Sequence, residues 1–332
     1  MGLRHRPRVA ALADLGGGAV LERGALSGLR LRARAWLAGA AARLAAAGVE
    51  PEEGRLEGLI LLEDLAGVGR ARLPLDPPLP PEARAALDAA LRRREGREPL
   101  SHILGAWEFW GLRFEVSRET LTPRADTELL VEEALRWLRA RPALAAPWVV
   151  DVCAGTGCVG LSLLSELGAG ARASLIELSP GALAVAGRNA ARLRAEGAVR
   201  GRVDVWAGDL LAPLRAAAPP GAPPPDLVVS NPPYIRPADL AGLAPEVRDH
   251  EPRLALDGDL GAPPGDGLAV VRRLVAEARA LLAPGGGLLL EVGWDQTEAV
   301  GELLGAEGFE GVWRRRDYGG NWRVVGGVMG EK

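Results

Sequence analysis

The spacing of hydrophobic positions divides the chain into a helical part and a part in which strands and helices alternate. From Leu29 to about Glu98 the apolar residues recur with a helical period, interrupted by the proline-rich run LPLDPPLPPEA. Pro81 and Gly96 bracket the last of these stretches, as expected at the two ends of a helix. This pattern predicts a small all-helical domain.

Two details of that domain can be predicted from the same pattern. The first helix is expected to bury one side, made of Leu31, Ala35, Ala38 and Ala42. The arginines at 92–94 are expected to form a solvated helix end, where cations suit the helix dipole.

A short all-β segment follows the helices. Residues 107–116, WEFWGLRFEV, predict two strands around a turn at Gly111, and a helix from about Asp126 to Arg139 comes next. From residue 148 onward short apolar runs alternate with helical stretches, and Ser179 is expected to cap one of these helices. Such alternation predicts a mainly parallel sheet with its ligand at the carboxyl ends of the strands.

Composition then limits the class of protein. With 332 residues, 48% hydrophobic and 25% charged, the chain suits two folded domains. No long apolar run predicts a membrane span. The only cysteines, Cys153 and Cys158, cannot form a disulfide scaffold, so a reducing, cytoplasmic compartment is expected. These cysteines and three histidines are too few for a convincing zinc site, and no metal is expected.

The distribution of charge bears on possible partners. Residues 101–332 carry 24 basic and 30 acidic side chains, a net charge of −6. A surface that follows nucleic-acid phosphates needs clustered cations. The sequence therefore predicts no direct nucleic-acid partner.

The stretch DVCAGTGCVG, residues 151–160, carries the first candidate chemistry. Gly155, Gly157 and Gly160 match the G-x-G-x-x-G pattern of a strand-to-helix turn, where glycine lets the backbone approach a ligand closely. Glu177 follows 22 residues after Gly155, at the end of the next predicted strand, where an acid can accept hydrogen bonds from ribose hydroxyls. This pair predicts a nucleoside cofactor without separating NAD from S-adenosylmethionine.

The sequence Asn231-Pro232-Pro233-Tyr234 narrows the choice. It comes directly after the apolar run LVVS, at the carboxyl end of a predicted strand. Two prolines stiffen the backbone and donate no N–H, so their carbonyls and the Asn231 oxygen are free to accept hydrogen bonds from a planar –NH2 group. Tyr234 is expected to provide a flat apolar face beside that group. The sequence thus predicts that a planar nitrogen is the group modified.

Together these motifs resemble the class I S-adenosylmethionine-dependent methyltransferases, and further segments resemble the HemK/PrmC family within that class. Those segments, each similar to a segment of the family, are EPLSHILG (98–105), EFW (108–110), TPRADTE (122–128) and EPRLAL (251–256). The resemblance covers the chain from about Leu29 to its end. It implies a Rossmann-like α/β fold with a mainly parallel seven-stranded sheet, a small N-terminal helical domain and a connecting β-hairpin.

The resemblance also implies a function. HemK/PrmC enzymes methylate the side-chain amide of the glutamine in the Gly-Gly-Gln loop of peptide chain release factors, with S-adenosylmethionine as donor and S-adenosylhomocysteine as product. Carried over by position, the cofactor contacts fall on Cys153, Ala154, Gly155, Thr156, Gly157, Glu177, Asp209, Leu210 and Asn231. Glu177 stands where the family more often has Asp, and Leu210 where some members have an aromatic residue.

The resemblance assigns the chemistry to the Asn-Pro-Pro-Tyr corner. The substrate-binding residues are Asn231, Pro232, Pro233 and Tyr234. Asn231 and the Pro232 carbonyl are the catalytic groups: they are expected to accept the two N–H bonds of the glutamine amide during direct in-line methyl transfer. His102 and His250 are expected to be loop or surface residues without a role in proton transfer.

Four domains or segments are predicted. They are a flexible leader at 1–27, for which a targeting segment is the alternative, a helical substrate-binding domain at 28–100, a hairpin linker at 101–120 and a methyltransferase domain at 121–332. The helices would hold a remote surface of the release factor or, alternatively, merely cap the sheet.

Three other functions remain open from the sequence. An adenine-N6 methyltransferase would use the same amine clamp but needs a basic groove and a pocket for a flipped base. A nicotinamide-dependent dehydrogenase fits the glycine spacing but gives Asn231-Pro-Pro-Tyr no role. A non-catalytic methyltransferase-like binding protein would not need the intact clamp.

Overall fold

The computed structural model describes residues 32–331 except Ala218, Pro220 and Pro264. The predicted leader at 1–27 and the first residues of the predicted helical domain lie outside this range. Four helices open the described chain: α1 (Ala33–Ala46), α2 (Pro51–Ala66), α3 (Pro81–Glu95) and α4 (Leu100–Leu104). Within residues 32–331, no helix is long and apolar enough to cross a membrane.

The buried face of α1 differs from the predicted one. Trp36, Leu37 and Leu44 point into the helical core, whereas Ala35, Ala38 and Ala42 are exposed and Leu31 lies outside the described residues. Alanine occurs on every side of this helix, so its spacing alone does not select a face. The three large side chains decide the orientation because they remove more apolar area from water.

The prediction of a solvated end at residues 92–94 is wrong for Arg94. Its side chain is 1% exposed and forms ion pairs at 2.8 Å with Glu57 of α2 and with Glu246. Glu246 lies in the short helix α9 (Pro245–Arg248), which follows the Asn-Pro-Pro-Tyr segment. Burial raises the pKa of Glu57, and Arg94 opposes that rise. Because Arg94 pairs with both Glu57 and Glu246, its guanidinium joins the helical region to the larger domain through ion pairs.

Removing Arg94 is expected to be costly because it leaves the buried carboxylate of Glu57 without its cation, whereas Glu246 keeps its ion pair with Arg97. Arg94→Ala should lower the free energy of unfolding by about 3–5 kcal/mol. Arg43→Ala is the matched control, since Arg43 pairs with Glu95 across α1 and α3 at an exposed position and should contribute at most about 1 kcal/mol. Denaturant titration of the three proteins measures the difference, and equal losses for both variants would contradict the role given to Arg94.

The hairpin forms as predicted. Strands β1 (Ala106–Phe109) and β2 (Leu112–Glu115) pair antiparallel, and the two-residue turn between them has Trp110 and Gly111 at positive φ. Two positive φ values are the signature of a hairpin turn whose twist matches its strands. Helix α4 extends into the start of the predicted hairpin linker at 101–120, so the two strands lie in the middle of that segment.

The rest of the chain builds the predicted α/β layers around one sheet. Its strands are β3 (Trp148–Val152), β4 (Arg172–Glu177), β5 (Arg202–Ala207), β6 (Leu227–Ser230), β7 (Gly287–Glu291), β8 (Phe309–Arg316) and β9 (Trp322–Met329). The helices are α5 (Glu128–Arg139), α6 (Cys158–Leu167), α7 (Pro180–Ala195), α8 (Ala212–Ala217), α10 (Ala269–Leu281) and α11 (Thr297–Ala306). The hydroxyl of Ser179 caps α7 as predicted, accepting from the N–H of Ala182.

The order of the strands places the site. The sheet runs β5-β4-β3-β6-β7-β9-β8, parallel from β5 through β7, with β9 antiparallel to both neighbours. The fold class is confirmed: α/β, with seven mainly parallel strands, an N-terminal helical region and a hairpin. Strand β8 and helix α11 were not predicted individually. The chain order reverses between β3 and β6, where α/β sheets of this kind bind their ligands.

Candidate active site

The glycine turn and the Asn-Pro-Pro-Tyr segment meet at this reversal. In the register of the sheet, Val152 of β3 pairs with Ser230 of β6, so Cys153 and Asn231 leave the two strands side by side. The hydroxyl of Ser230 donates to the carbonyl of Val152 at 2.6 Å, which links the two strand ends. A cleft opens beside them.

Most of the residues predicted to bind the cofactor line this cleft together. They are Cys153, Ala154, Gly155, Thr156, Glu177, Asp209, Leu210 and Asn231. Gly157 does not line the cleft in the part of the chain that the structure describes. It is instead the N-cap of α6 with φ at 78°, and its N–H donates to the carbonyl of Ala154, so it shapes the turn.

Gly160 also has a packing role. A Cβ at this position would lie 2.4 Å from Leu175 and 3.1 Å from the Cβ of Asp151. Only glycine therefore lets the first turn of α6 pack this close to the sheet. Its N–H donates to Asp151 at 2.8 Å, and burial raises the pKa of that carboxyl to about 7.

Glu177 is held against the glycine turn at the end of β4. One carboxylate oxygen accepts from the N–H of Gly155 at 2.9 Å and the other from the N–H of Ser179 at 2.8 Å. Each carboxylate oxygen has a second lone pair. Glu177 can therefore orient the loop and still accept hydrogen bonds from a ligand in the cleft.

Strained backbone is concentrated around the same cleft. Cys153, Leu210 and Leu260 all have positive φ, between 47° and 58°, and all line it. Side chains with a Cβ adopt this conformation at a cost that folded proteins sustain mainly at functional sites. No sequence pattern marks these three positions, since Cys and Leu are not residues that favour positive φ.

Two of the four residues of the Asn-Pro-Pro-Tyr segment line the cleft. Asn231 and Pro233 line the cleft, whereas Pro232 and Tyr234, although described, are not among its lining residues. The phenol of Tyr234 lies near Arg323 of β9, and burial raises its pKa to about 12. Its carbonyl accepts from Gln296 at 2.9 Å, which ties the segment to the N-terminus of α11.

Asn231 has a defined hydrogen-bond partner in the turn before α5. Its Nδ2 donates to the hydroxyl of Thr127 at 3.1 Å, and Thr127 lies just before α5. Glu291, the last residue of β7, is close to both and is 2% exposed. Burial raises the pKa of Glu291 to about 7, although the Thr127 hydroxyl, the charge of Arg323 and the Asn231 amide oppose the rise.

Two sequence segments form the opposite wall of the cleft. Residues 119–124 and Pro252, Leu254 and Ala255 line it. Glu251 joins them by accepting from the N–H of Thr122 at 3.1 Å and from Arg124 at 2.6 Å. The motifs TPRADTE and EPRLAL include parts of both segments, but 127 residues separate Arg124 from Glu251, so the sequence does not indicate that these two residues meet.

The two histidines differ from each other. His102 belongs to α4 and is 9% exposed, and its Nε2 has no hydrogen-bond partner among residues 32–331. Burial lowers its pKa. The expectation of a loop or surface position is therefore wrong for His102, whereas His250 lies in a turn and is half-buried. Neither histidine lines the cleft.

Comparisons with known proteins agree on one family. The sequence model of the PrmC N-terminal domain matches residues 35–105. A release factor glutamine methyltransferase of Geobacter sulfurreducens is 45% identical over 84% of this chain and 91% of that protein. A second protein of that name, from Cereibacter sphaeroides, is 43% identical over 89% of this chain and 98% of its own length.

Proposed function

The chain belongs to the family of release factor glutamine methyltransferases, and from this premise we propose that it methylates the glutamine of the Gly-Gly-Gln loop in a peptide chain release factor. The methyl group would come from S-adenosylmethionine and pass to the side-chain amide nitrogen. One observation carries the assignment beyond family membership. The amide of Asn231 donates a hydrogen bond from its –NH2 group to Thr127, and Asn231 borders the same cleft as the glycine turn and Glu177.

Several features of the cleft support S-adenosylmethionine as its ligand. A Cβ on Gly155 would have no atom within 4 Å, so this glycine leaves open space where the chain borders the cleft. Glu177 would accept from the ribose hydroxyls, and Asp209 and Leu210 would flank the adenine. When bound, the cofactor supplies an electrophilic methyl group on a positively charged sulfur.

The residues of this chain would act on the glutamine amide by positioning it. Oδ1 of Asn231 would accept one N–H, and the carbonyl of Pro232, which lies in the chain between the lining residues Asn231 and Pro233, would accept the other. That carbonyl accepts no hydrogen bond from any residue the structure describes. The two acceptors aim the nitrogen and favour the positive charge that develops there as its bond to carbon forms. The surplus proton leaves to water after transfer.

The rim of the cleft favours a protein loop over a nucleic acid. Leu178, Leu254 and Leu260 are each between 36% and 46% exposed and border the opening. Of the described lining residues, the arginines are Arg124, paired with Glu251, and Arg273, paired with Asp209. An apolar rim with paired cations suits an uncharged glycine-rich loop better than a phosphate backbone.

We assign the recognition of the rest of the release factor to the helical domain. Leu56 of α2 is 44% exposed and lines a groove together with Arg55, Arg70 and Pro74. Leu75, which follows Pro74 in the chain, is 77% exposed. Exposed apolar residues next to cations form a surface that a protein partner can cover. A release factor implies that the reaction takes place in the cytoplasm.

A double variant tests this assignment while leaving the core intact. Leu56→Ser with Leu75→Ser should raise KM for an intact release factor by about tenfold and leave KM for a Gly-Gly-Gln loop peptide unchanged. Val205→Ser, at a 37% exposed position on strand β5, is the control. Steady-state kinetics with both substrates measure the split, and an equal rise for protein and peptide would contradict a docking role.

A further inference from the structure

Glu291 is a buried acid that the proposed function has not yet used. Strands β6 and β7 are parallel neighbours, and Ser230 pairs with Leu290. Asn231 and Glu291 are therefore the next residues of the two strands, side by side at the carboxyl edge of the sheet. Glu291 does not line the cleft, and its Oε2 is buried with no hydrogen-bond partner in the described chain.

Thr127 connects these two side chains. Its hydroxyl oxygen accepts from Nδ2 of Asn231 at 3.1 Å, and the Thr127 hydroxyl and the Asn231 amide both lower the pKa of the Glu291 carboxyl. A hydroxyl has one proton, and an ionised carboxylate can only accept. Thr127 therefore donates its proton to Glu291 and has only lone pairs left to offer Asn231.

This order of donors and acceptors determines which way the Asn231 amide faces. Since Thr127 must accept, Asn231 has to direct its –NH2 group toward Thr127 and its oxygen to the other side. Were the Thr127 proton free, it could instead donate to Oδ1, and the amide would turn over. Asn231 would then present N–H groups to the N–H groups of a glutamine side chain, an arrangement that repels the substrate.

We infer that Glu291 and Thr127 are positioning residues that keep the oxygen of Asn231 directed toward the glutamine amide. The inference rests on the proposed function, because an inward-facing acceptor matters only if the substrate is an N–H donor. Neither residue needs to touch the substrate. Both act through Asn231 by favouring its –NH2 group on their side: Thr127 accepts from Nδ2 directly, and Glu291 acts through the Thr127 hydroxyl and through its own interaction with the Asn231 amide.

The hydrogen bonding among Asn231, Thr127 and Glu291 makes methylation depend on pH. The charge of Arg323 on β9 lowers the pKa of Glu291, and the charge of Asp126, which precedes α5, raises it. The other titratable groups that Glu291 faces are Cys158 of α6 and the phenol of Tyr234. Together with burial these groups bring the pKa to about 7. Above this value the carboxylate only accepts. As pH falls through it, the protonated carboxyl can donate to Thr127, and kcat should fall.

Two substitutions of Thr127 with side chains of similar size test the role of its hydroxyl. Thr127→Val removes the hydroxyl at nearly constant volume and should lower kcat roughly tenfold to a hundredfold, with the Kd for S-adenosylmethionine changed by no more than about twofold. Thr127→Ser keeps the hydroxyl and should restore most of the rate. Wild-type kcat in Thr127→Val, or an equal loss in both variants, would overturn the inference.

The pH profile separates positioning from a merely structural effect. Wild-type kcat should rise between pH 6 and pH 8 and then level off. Glu291→Gln cannot titrate and should lose this rise, while Glu133→Gln, a change at another 2% exposed carboxyl, should keep it. Persistence of the rise in Glu291→Gln would overturn the inference. Failure of the wild-type protein to methylate the glutamine at any pH would instead refute the proposed function.

Discussion

Replacing Asn231 by alanine is expected to lower kcat for glutamine methylation by about a hundredfold to a thousandfold, the range measured when one preorganised hydrogen-bonding group is removed from an active site. Alanine takes away the side-chain oxygen that accepts an N–H of the substrate. The Pro232 carbonyl would remain, so the amide would be bound but free to rotate about its remaining hydrogen bond.

The cofactor should still bind to this variant. Glu177, the glycine turn and Asp209 are positioned by β3, β4 and β5, and none of their hydrogen bonds to the described residues involves Asn231. We expect the Kd for S-adenosylmethionine to change by no more than about threefold. Asn321→Ala, an exposed position in the turn between β8 and β9, is the matched control and should keep wild-type kcat.

Glu177→Ala is expected to have its effect on cofactor binding instead. Two charge-assisted hydrogen bonds to ribose hydroxyls would be lost, each worth about 1.5–3 kcal/mol, so the Kd should rise at least about a hundredfold. The N–H groups of Gly155 and Ser179 would also lose their acceptor, which loosens the turn that borders the cleft.

Two further variants give this prediction its controls. Glu177→Asp shortens the arm by one methylene and restores the residue more usual in the family, so it should bind the cofactor far more tightly than Glu177→Ala. Asp204→Ala removes a carboxylate from β5 that pairs with Arg172 and Arg202, outside the cleft. Isothermal titration calorimetry measures all four proteins, and a Kd for Glu177→Ala within threefold of wild type would contradict the role of Glu177.

The part of the site that could be predicted lies where strands end. Gly155, Glu177 and Asn231 each follow an apolar run directly, and parallel strands bring their carboxyl ends to one edge of the sheet. The distance along the chain is irrelevant once that rule applies. Strand order does not determine how each residue of the following turn is directed, so it could not predict that Asn231 and Pro233 line the cleft while Pro232 and Tyr234 do not.

The supporting residues could not be predicted in the same way. Thr127 and Glu291 are 104 and 60 residues away from Asn231, and nothing in their local sequence indicates that they meet. Arg94 presents a similar case. Three consecutive arginines look alike in a helix pattern, and only the approach of Glu57 and Glu246 from other helices shows which one is buried.

The strand β8 was difficult to predict for a related reason. Its sequence FEGVWRRR carries three arginines and a glycine, and it forms the edge of the sheet with two irregularities in its pairing with β9. Charged residues and bulges are common on edge strands, which must avoid pairing with other chains. The alternation of apolar and polar positions is therefore weak where the strand is exposed.

Mass spectrometry of a release factor after incubation with this protein and S-adenosylmethionine tests the central claim most directly. We predict one added methyl group on the glutamine of the Gly-Gly-Gln loop, none when that glutamine is replaced by alanine, and none on an adenine-rich duplex in the same reaction. A methyl group on adenine, or an unmodified glutamine with the wild-type protein and bound cofactor, would contradict it.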